Sequence, residues 1–146
     1  MKAALEQTQL CQGDVPVGAI IVHDDTIIAT GYNQREALND PLGHAELGAI
    51  RAASIKLGSW RLGGCAIFCT LEPCPMCAEA IIQSRLQLLV FGAYDPVAGA
   101  AGSVFNLFAK RKALPAPDIL AGIMEEECVE PLKQFFKEQR QRANKQ

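Results

Sequence analysis

The sequence has no apolar run approaching the roughly 18–20 residues that a membrane-spanning helix needs, so no such helix is expected. Its opening, MKAALEQTQLCQ, lacks the apolar core of a signal peptide, which makes the cytoplasm the expected compartment. Internal repeats and low-complexity segments are absent as well. Histidine is scarce, with only His23 and His44, and net charge is small at −2. Six cysteines are present. Without an export signal, reduced thiols or metal ligands are expected of them rather than a disulfide framework.

What is present fits a soluble globular protein. Of 146 residues, 49% are apolar and 21% charged, enough to bury a core in one domain spanning 1–146. Charge is unevenly placed. From Leu132 onward, Lys133, Lys137, Arg140, Arg142 and Lys145 face Glu138 alone. A basic end of this kind suits a polyanion, although a solvated helix face has the same composition.

Residues 2–12 read as part of an amphipathic helix, with no cap before Met1. "VPVGAIIVH" and "TIIATGYN" are β-branched runs joined by Asp24-Asp25, a hairpin pattern. "GHAELGAIRAASIKLG" is helical, with Leu47, Ile50, Ala53 and Leu57 on one face and Gly58 as the stop. "CAIFCTL" is a short buried strand. Pro75 suits the first turn of a helix running to about Arg85, and "LQLLVFGA" is another apolar strand. "DPVAGAAGS" is a loop of small residues, and Val104 to Ala109 can form a short helix. "PDILAG" supplies a last strand before a C-terminal helix over about 123–143. Pro131 should kink or split that helix by removing a backbone donor and clashing one turn back. Alternating strands and helices predict an α/β fold with helices on both faces of one sheet.

The chemistry concentrates in "TLEPCPMCAEAI". Cys74 and Cys77 form C-x-x-C at a helix start after a strand, a pattern shared by redox dithiols and metal sites, since a helix N-terminus lowers thiol pKa for either use. "GHAELGAI" puts His44 at a second helix start, and neighbouring strands bring such starts to one sheet edge. One His and two Cys make three ligands. Structural zinc is closed by four, whereas catalytic zinc leaves a position for water. Glu46 supplies a carboxylate for proton transfer. Residues two apart on a helix point about 200° apart, so Glu46 and His44 can share a pocket only if His44 is a cap with non-helical dihedrals. The turn-like "DPLG" before it permits that.

H-A-E followed by P-C-x-x-C is the signature of zinc nucleobase deaminases, and the chain resembles the bacterial tRNA-specific adenosine deaminases of the cytidine deaminase-like superfamily. "DVPVGAIIV", "GYN", "DPLGHAE", "TLEPCPMCAEAI", "FGAYDPVAGAAGS" and "EEEC…FFKEQR" follow the family's order over almost the whole chain. Leu42 and Gly43 stand where the family usually has Thr and Ala, and Pro131 is unusual in its C-terminal helix. These departures bear on substrate binding more than on chemistry.

The resemblance implies a three-layer α/β/α fold with a central mixed five-stranded sheet. It implies one Zn²⁺ per subunit on His44, Cys74 and Cys77, with Glu46 shuttling protons while an activated water attacks C6 of adenine. Asn33 and the backbone of Ala45 match the base-contacting positions, and Asp95 lies in the loop that holds nucleotides beside the target. Phe135, Phe136, Lys137 and Arg140 match the end that grips the anticodon arm, one Phe being expected to pack inward. The implied activity is adenosine-to-inosine conversion at the wobble position of a tRNA, by a cytoplasmic homodimer. A deaminase of a free base or nucleoside needs no basic end. A thiol–disulfide protein leaves His44 and Glu46 unexplained, and an RNA-binding module with structural zinc needs a fourth ligand, for which Cys69 is nearest in sequence. Cys11, Cys65, Cys69 and Cys128 read as core or surface thiols, and His23 as exposed.

Overall fold

The computed structural model describes residues 1–109 and 112–145. The chain opens with α1 (Lys2–Gln7), extended by a 3-10 turn over Thr8–Leu10. A hairpin follows, β1 (Gly18–His23) and β2 (Thr26–Tyr32), then the short α2 (Arg35–Leu38) and α3 (Ala45–Leu57). β3 (Cys65–Leu71), α4 (Pro75–Gln83), β4 (Leu88–Ala93), β5 (Asp118–Leu120) and α5 (Glu125–Ala143) complete it. The five strands lie in the order β2-β1-β3-β4-β5. β1 runs antiparallel to β2 and β3, whereas β3, β4 and β5 are parallel, so the sheet is mixed.

Asp24 and Asp25 both take positive φ, 46° and 56°. This is the twist a two-residue hairpin requires. The pairing shifts register between Ile21 and Val22.

Close approaches establish the layers. Ala19 pairs with Gly31 and Cys69, and Cys69 with Phe91, so these four point to one face. On that face a Cβ added to Gly31 would lie 2.1 Å from the Ala45 carbonyl oxygen, which places α3 there. Ile21, Ile67, Leu89 and Phe91 pack with Ala45, Ala49 and Ala53 of α3 and with Ala78, Ile81 and Ile82 of α4. On the opposite face, Gly18 abuts the Ala4 carbonyl of α1 and Gly92 abuts the Cys128 side chain of α5. Helices thus cover both faces of a mixed five-stranded sheet.

Four expectations are corrected. The buried stripe of α3 is Ala45, Ala49 and Ala53, so of the expected face only Ala53 is buried; Leu47 and Ile50 are only partly buried and Leu57 is exposed. A helix lying this close to Gly31 has room only for methyl groups. Residues 104–109 form no helix. Their amides go instead to loop acceptors: Val104 and Phe105 N–H donate to the Gly99 carbonyl, and Leu107 N–H to that of Ala100. α5 runs through Pro131 unsplit, held by Cys128 buried against Gly92 before it and Leu132 packed on the core after it. α4 stops at Gln83, and Arg85 adopts φ 63° in the turn to β4. α2 was not anticipated. The buried Asp14 carboxylate accepts the Glu36 and Ala37 N–H groups at 2.8 and 3.1 Å, capping it from a distant segment.

Candidate active site and metal centre

Two helix starts meet at one edge of the sheet. His44 is the N-cap of α3 with φ −78° and ψ 147°, extended rather than helical, as the pairing with Glu46 demands. Cys74 is the N-cap of α4 with φ −71° and ψ 170°, and Pro75 follows at the first helical position, where its missing N–H costs nothing. Cys77 lies three residues on, on the same side of the first turn. The Nδ1 atom of His44 is 3.6 Å from Cys74 Sγ and 3.5 Å from Cys77 Sγ.

These separations test the fit of an ion. Zinc–nitrogen bonds of about 2.0–2.1 Å and zinc–sulfur bonds of about 2.3 Å at a tetrahedral angle give an N···S edge of about 3.5 Å. The donor atoms of His44, Cys74 and Cys77 lie within 4.8 Å of one another, and among the described residues they are the one His/Cys/Asp/Glu group that could hold a metal. Neither Glu46 nor Cys69 belongs to it. Cys69 is fully buried on β3, and burial, then the nearby Glu46, push its thiol well above its ordinary value. The three-ligand set therefore leaves a tetrahedral position open.

The two thiols are shifted in opposite directions. Hydrogen bonding from Cys77, set against burial and helped by His44, lowers Cys74 to about 4. The same bond and burial push Cys77 upward. Hydrogen bonding to Cys74 raises His44 despite burial. Both helix N-termini add partial positive charge, which favours thiolate. Glu46 is 4% exposed. Burial raises its carboxyl, opposed by its own backbone N–H and by His44.

His44, Glu46 and Cys74 line a cavity of about 550 Å³, with Cys77 buried behind them. Its walls bring together Asn33, His44, Ala45, Glu46, Cys74, Asp95 and Phe136, from five separate stretches of sequence. The Asn33 Nδ2 donates to the Val15 carbonyl at 3.0 Å, which fixes the amide plane. Phe136 is 47% exposed and lines the cavity, whereas Phe135 is half-buried and lines a groove with Leu5 and Pro16. Lys137 and Arg140 are exposed on α5 and outside the cavity wall, and neither Leu42 nor Gly43 lines it.

The chain matches the family described as the cytidine and deoxycytidylate deaminase zinc-binding region over residues 1–93. It is 40% identical to the tRNA-specific adenosine deaminase of Bacillus subtilis over 144 residues, covering 97% of this chain and 89% of that protein. The chain belongs to the tRNA-specific adenosine deaminase family. The Agrobacterium fabrum member is 44% identical over 127 residues, 87% of this chain and 84% of that one. A solved tRNA:A34 deaminase, studied for A-to-I editing at the wobble position, superposes with a TM-score of 0.87 at 40% identity, covering 90% and 97%. A guanine deaminase from Nitrosomonas europaea, 21% identical with a TM-score of 0.75, shares the fold. The family's cofactor is zinc, and the site has the donor set for one ion per chain.

The structure adds residues that sequence reasoning passed over. Val15, Val17, Arg35, Leu71, Tyr94 and Leu132 also line the cavity. Glu72, 1% exposed, stands beside the metal-ligand motif, and an acid directly after an apolar strand was its only signal. Burial raises its carboxyl, but the Ser103 hydroxyl and the amides of Asp95, Ser103 and Ala101 outweigh that and hold it below the usual carboxylate range.

Proposed function

We propose that this protein is a zinc-dependent hydrolase converting adenosine to inosine at the wobble position of a tRNA anticodon, with release of ammonia. The observation that carries the reading is a three-ligand site, His44, Cys74 and Cys77, with the non-ligating carboxyl of Glu46 buried in the same cavity. Zinc on these residues supplies a water acidified enough to attack near neutral pH.

The chain's own groups do the rest. Glu46 takes the proton of the attacking water and delivers it to N1 of the adenine. It then moves the water's other proton from the new C6 hydroxyl to the C6 amino group, so that the C6–N bond breaks, ammonia leaves and the C6 carbonyl forms. Burial suits it to this, because a shuttle works best with a pKa near the operating pH. Asn33 and the Ala45 backbone orient the base, and the cavity takes it out of the anticodon stack. Incubating metal-loaded protein with an anticodon stem-loop should yield inosine, with no product from free adenosine. Turnover of the free nucleoside at a comparable rate would favour a small-molecule deaminase.

Residues 1–146 act as one deaminase domain in the cytoplasm, as a homodimer. The pairing is supported by exposed Val97, Val104 and Phe105 on the loop beside the site. Sedimentation at micromolar concentration should give twice the mass of one chain.

Metal analysis should return one zinc per chain. X-ray absorption should show two sulfur neighbours at about 2.3 Å and two light ones at about 2.0–2.1 Å. A fourth protein ligand would overturn the open-site reading.

α5 extends this surface over the RNA, with Phe136 at the cavity and Lys137, Arg140, Arg142 and Lys145 beyond it. Replacing the four cations together by alanine should weaken stem-loop binding. If about three of them touch phosphates, the slope of log K against log salt should fall by roughly 2–3. Unchanged slopes would leave this end a solvated helix.

A further inference from the structure

We infer that Glu72 is a positioning residue that holds the loop from Asp95 to Ser103 in the shape that grips nucleotides beside the target base. The inference rests on the proposed action on RNA. Four donors from this loop converge on one carboxylate. Its Oε1 accepts the Ala101 and Ser103 N–H groups at 2.9 and 3.1 Å. Its Oε2 accepts the Asp95 N–H at 3.0 Å and the Ser103 hydroxyl. A carboxylate has about four lone-pair sites, so its capacity is filled by this loop alone.

The loop is shaped around that anchor. A Cβ on Gly99 would lie 2.4 Å from Glu72 Oε2 and 2.5 Å from the Asp95 carbonyl oxygen, so only glycine lets the chain pass. Asp95 spends its own Oδ1 within the loop, accepting Val97 and Ala98 N–H at 2.9 and 3.2 Å. The loop supplies Asp95, Pro96, Val97 and Ala98 to the cavity wall, next to Tyr94. Glu72 itself is held by its backbone N–H on the Ala93 carbonyl at 2.8 Å. The anchor thus ties the substrate-facing loop to the strand that leads into Cys74, and backbone amides take acceptors that no solvent supplies.

Glu72→Gln keeps the size but turns one acceptor into a donor facing donors. With zinc-loaded protein and an anticodon stem-loop, KM should rise about tenfold while kcat at saturation stays within about twofold. Zinc should remain at one per chain. Exchange of the Asp95, Ala101 and Ser103 amides, slow in the parent, should accelerate at least tenfold. A merely structural role would instead lower kcat by reducing the folded fraction, with KM unchanged, and that result overturns the inference; so does an unchanged exchange rate. Should Glu72→Gln fail to fold, Ser103→Ala removes one donor from the exposed side, and a KM no higher than the parent's overturns the inference equally. A parent protein that forms no inosine in the stem-loop defeats the proposed function. The exchange measurement still decides whether Glu72 holds the loop.

Discussion

Glu46→Ala should give a folded, zinc-loaded protein whose deamination is slower by about 10²–10⁴-fold. Three observations set that expectation. Glu46 is outside the ligand group of His44, Cys74 and Cys77, so metal affinity has no direct need of it. It is 4% exposed and lines the cavity, so little solvent reaches it to take over as proton carrier. Its removal also relieves an unfavourable burial, since desolvation is the largest influence on its carboxyl, so stability should hold or rise. The test is zinc content, a thermal melt and single-turnover inosine formation on one preparation. Turnover near the parent's rate would place the proton shuttle elsewhere. Glu46→Gln should fall equally far, because the amide keeps the shape and cannot relay a proton.

Gly31→Ala should damage the fold and the metal site together. The added Cβ would lie 2.1 Å from the Ala45 carbonyl oxygen and 2.6 Å from the Ala49 nitrogen. Both are backbone atoms of α3, so no side chain can swing aside; the helix has to move. Overpacking of this kind costs about 1–3 kcal/mol, occasionally more. For a chain near this size each kcal/mol lowers the midpoint by about 2–4 °C. His44 caps the first turn of the displaced helix, so zinc content should fall along with the midpoint. Gly48→Ala is the control, with its nearest neighbour at 3.8 Å. It should be neutral or stabilising by up to about 1 kcal/mol, the ordinary helical difference between the two residues. Equal effects of the two substitutions would mean that β2 and α3 can part without loss.

The zinc donor set and the acid beside it were legible in the one-dimensional pattern because each depends on local rules. Pro75 starts a helix, C-x-x-C puts one thiol at its cap and the other on its first turn, and the turn-like "DPLG" permits His44 to be a cap. The strands that precede the two ligand helices, β2 and β3, are not neighbours, contrary to expectation, since β1 lies between them; both run antiparallel to β1, and that is what brings the two helix starts to one edge. The hairpin at Asp24-Asp25 and all five strands were readable by local rules too, since β-branched runs and turn residues act within a few positions. Only the tertiary structure decided the rest. Periodicity marks Leu47, Ile50 and Leu57 as the inner face of α3, yet the glycine on β2 brings that helix so close that an alanine stripe is buried instead. Pro131 breaks helices by its own chemistry, yet Cys128 and Leu132 hold α5 to the sheet on either side of it. A short helix is expected over 104–109, but the Val104, Phe105 and Leu107 amides go to the Gly99 and Ala100 carbonyls of the same loop, which is itself held at Ala101 and Ser103 by Glu72, an acceptor remote in sequence. Asp14 capping α2 is the same case. Long-range hydrogen bonds and close backbone contacts outweigh propensities of a few tenths of a kcal/mol per residue, and no local pattern records where they will form.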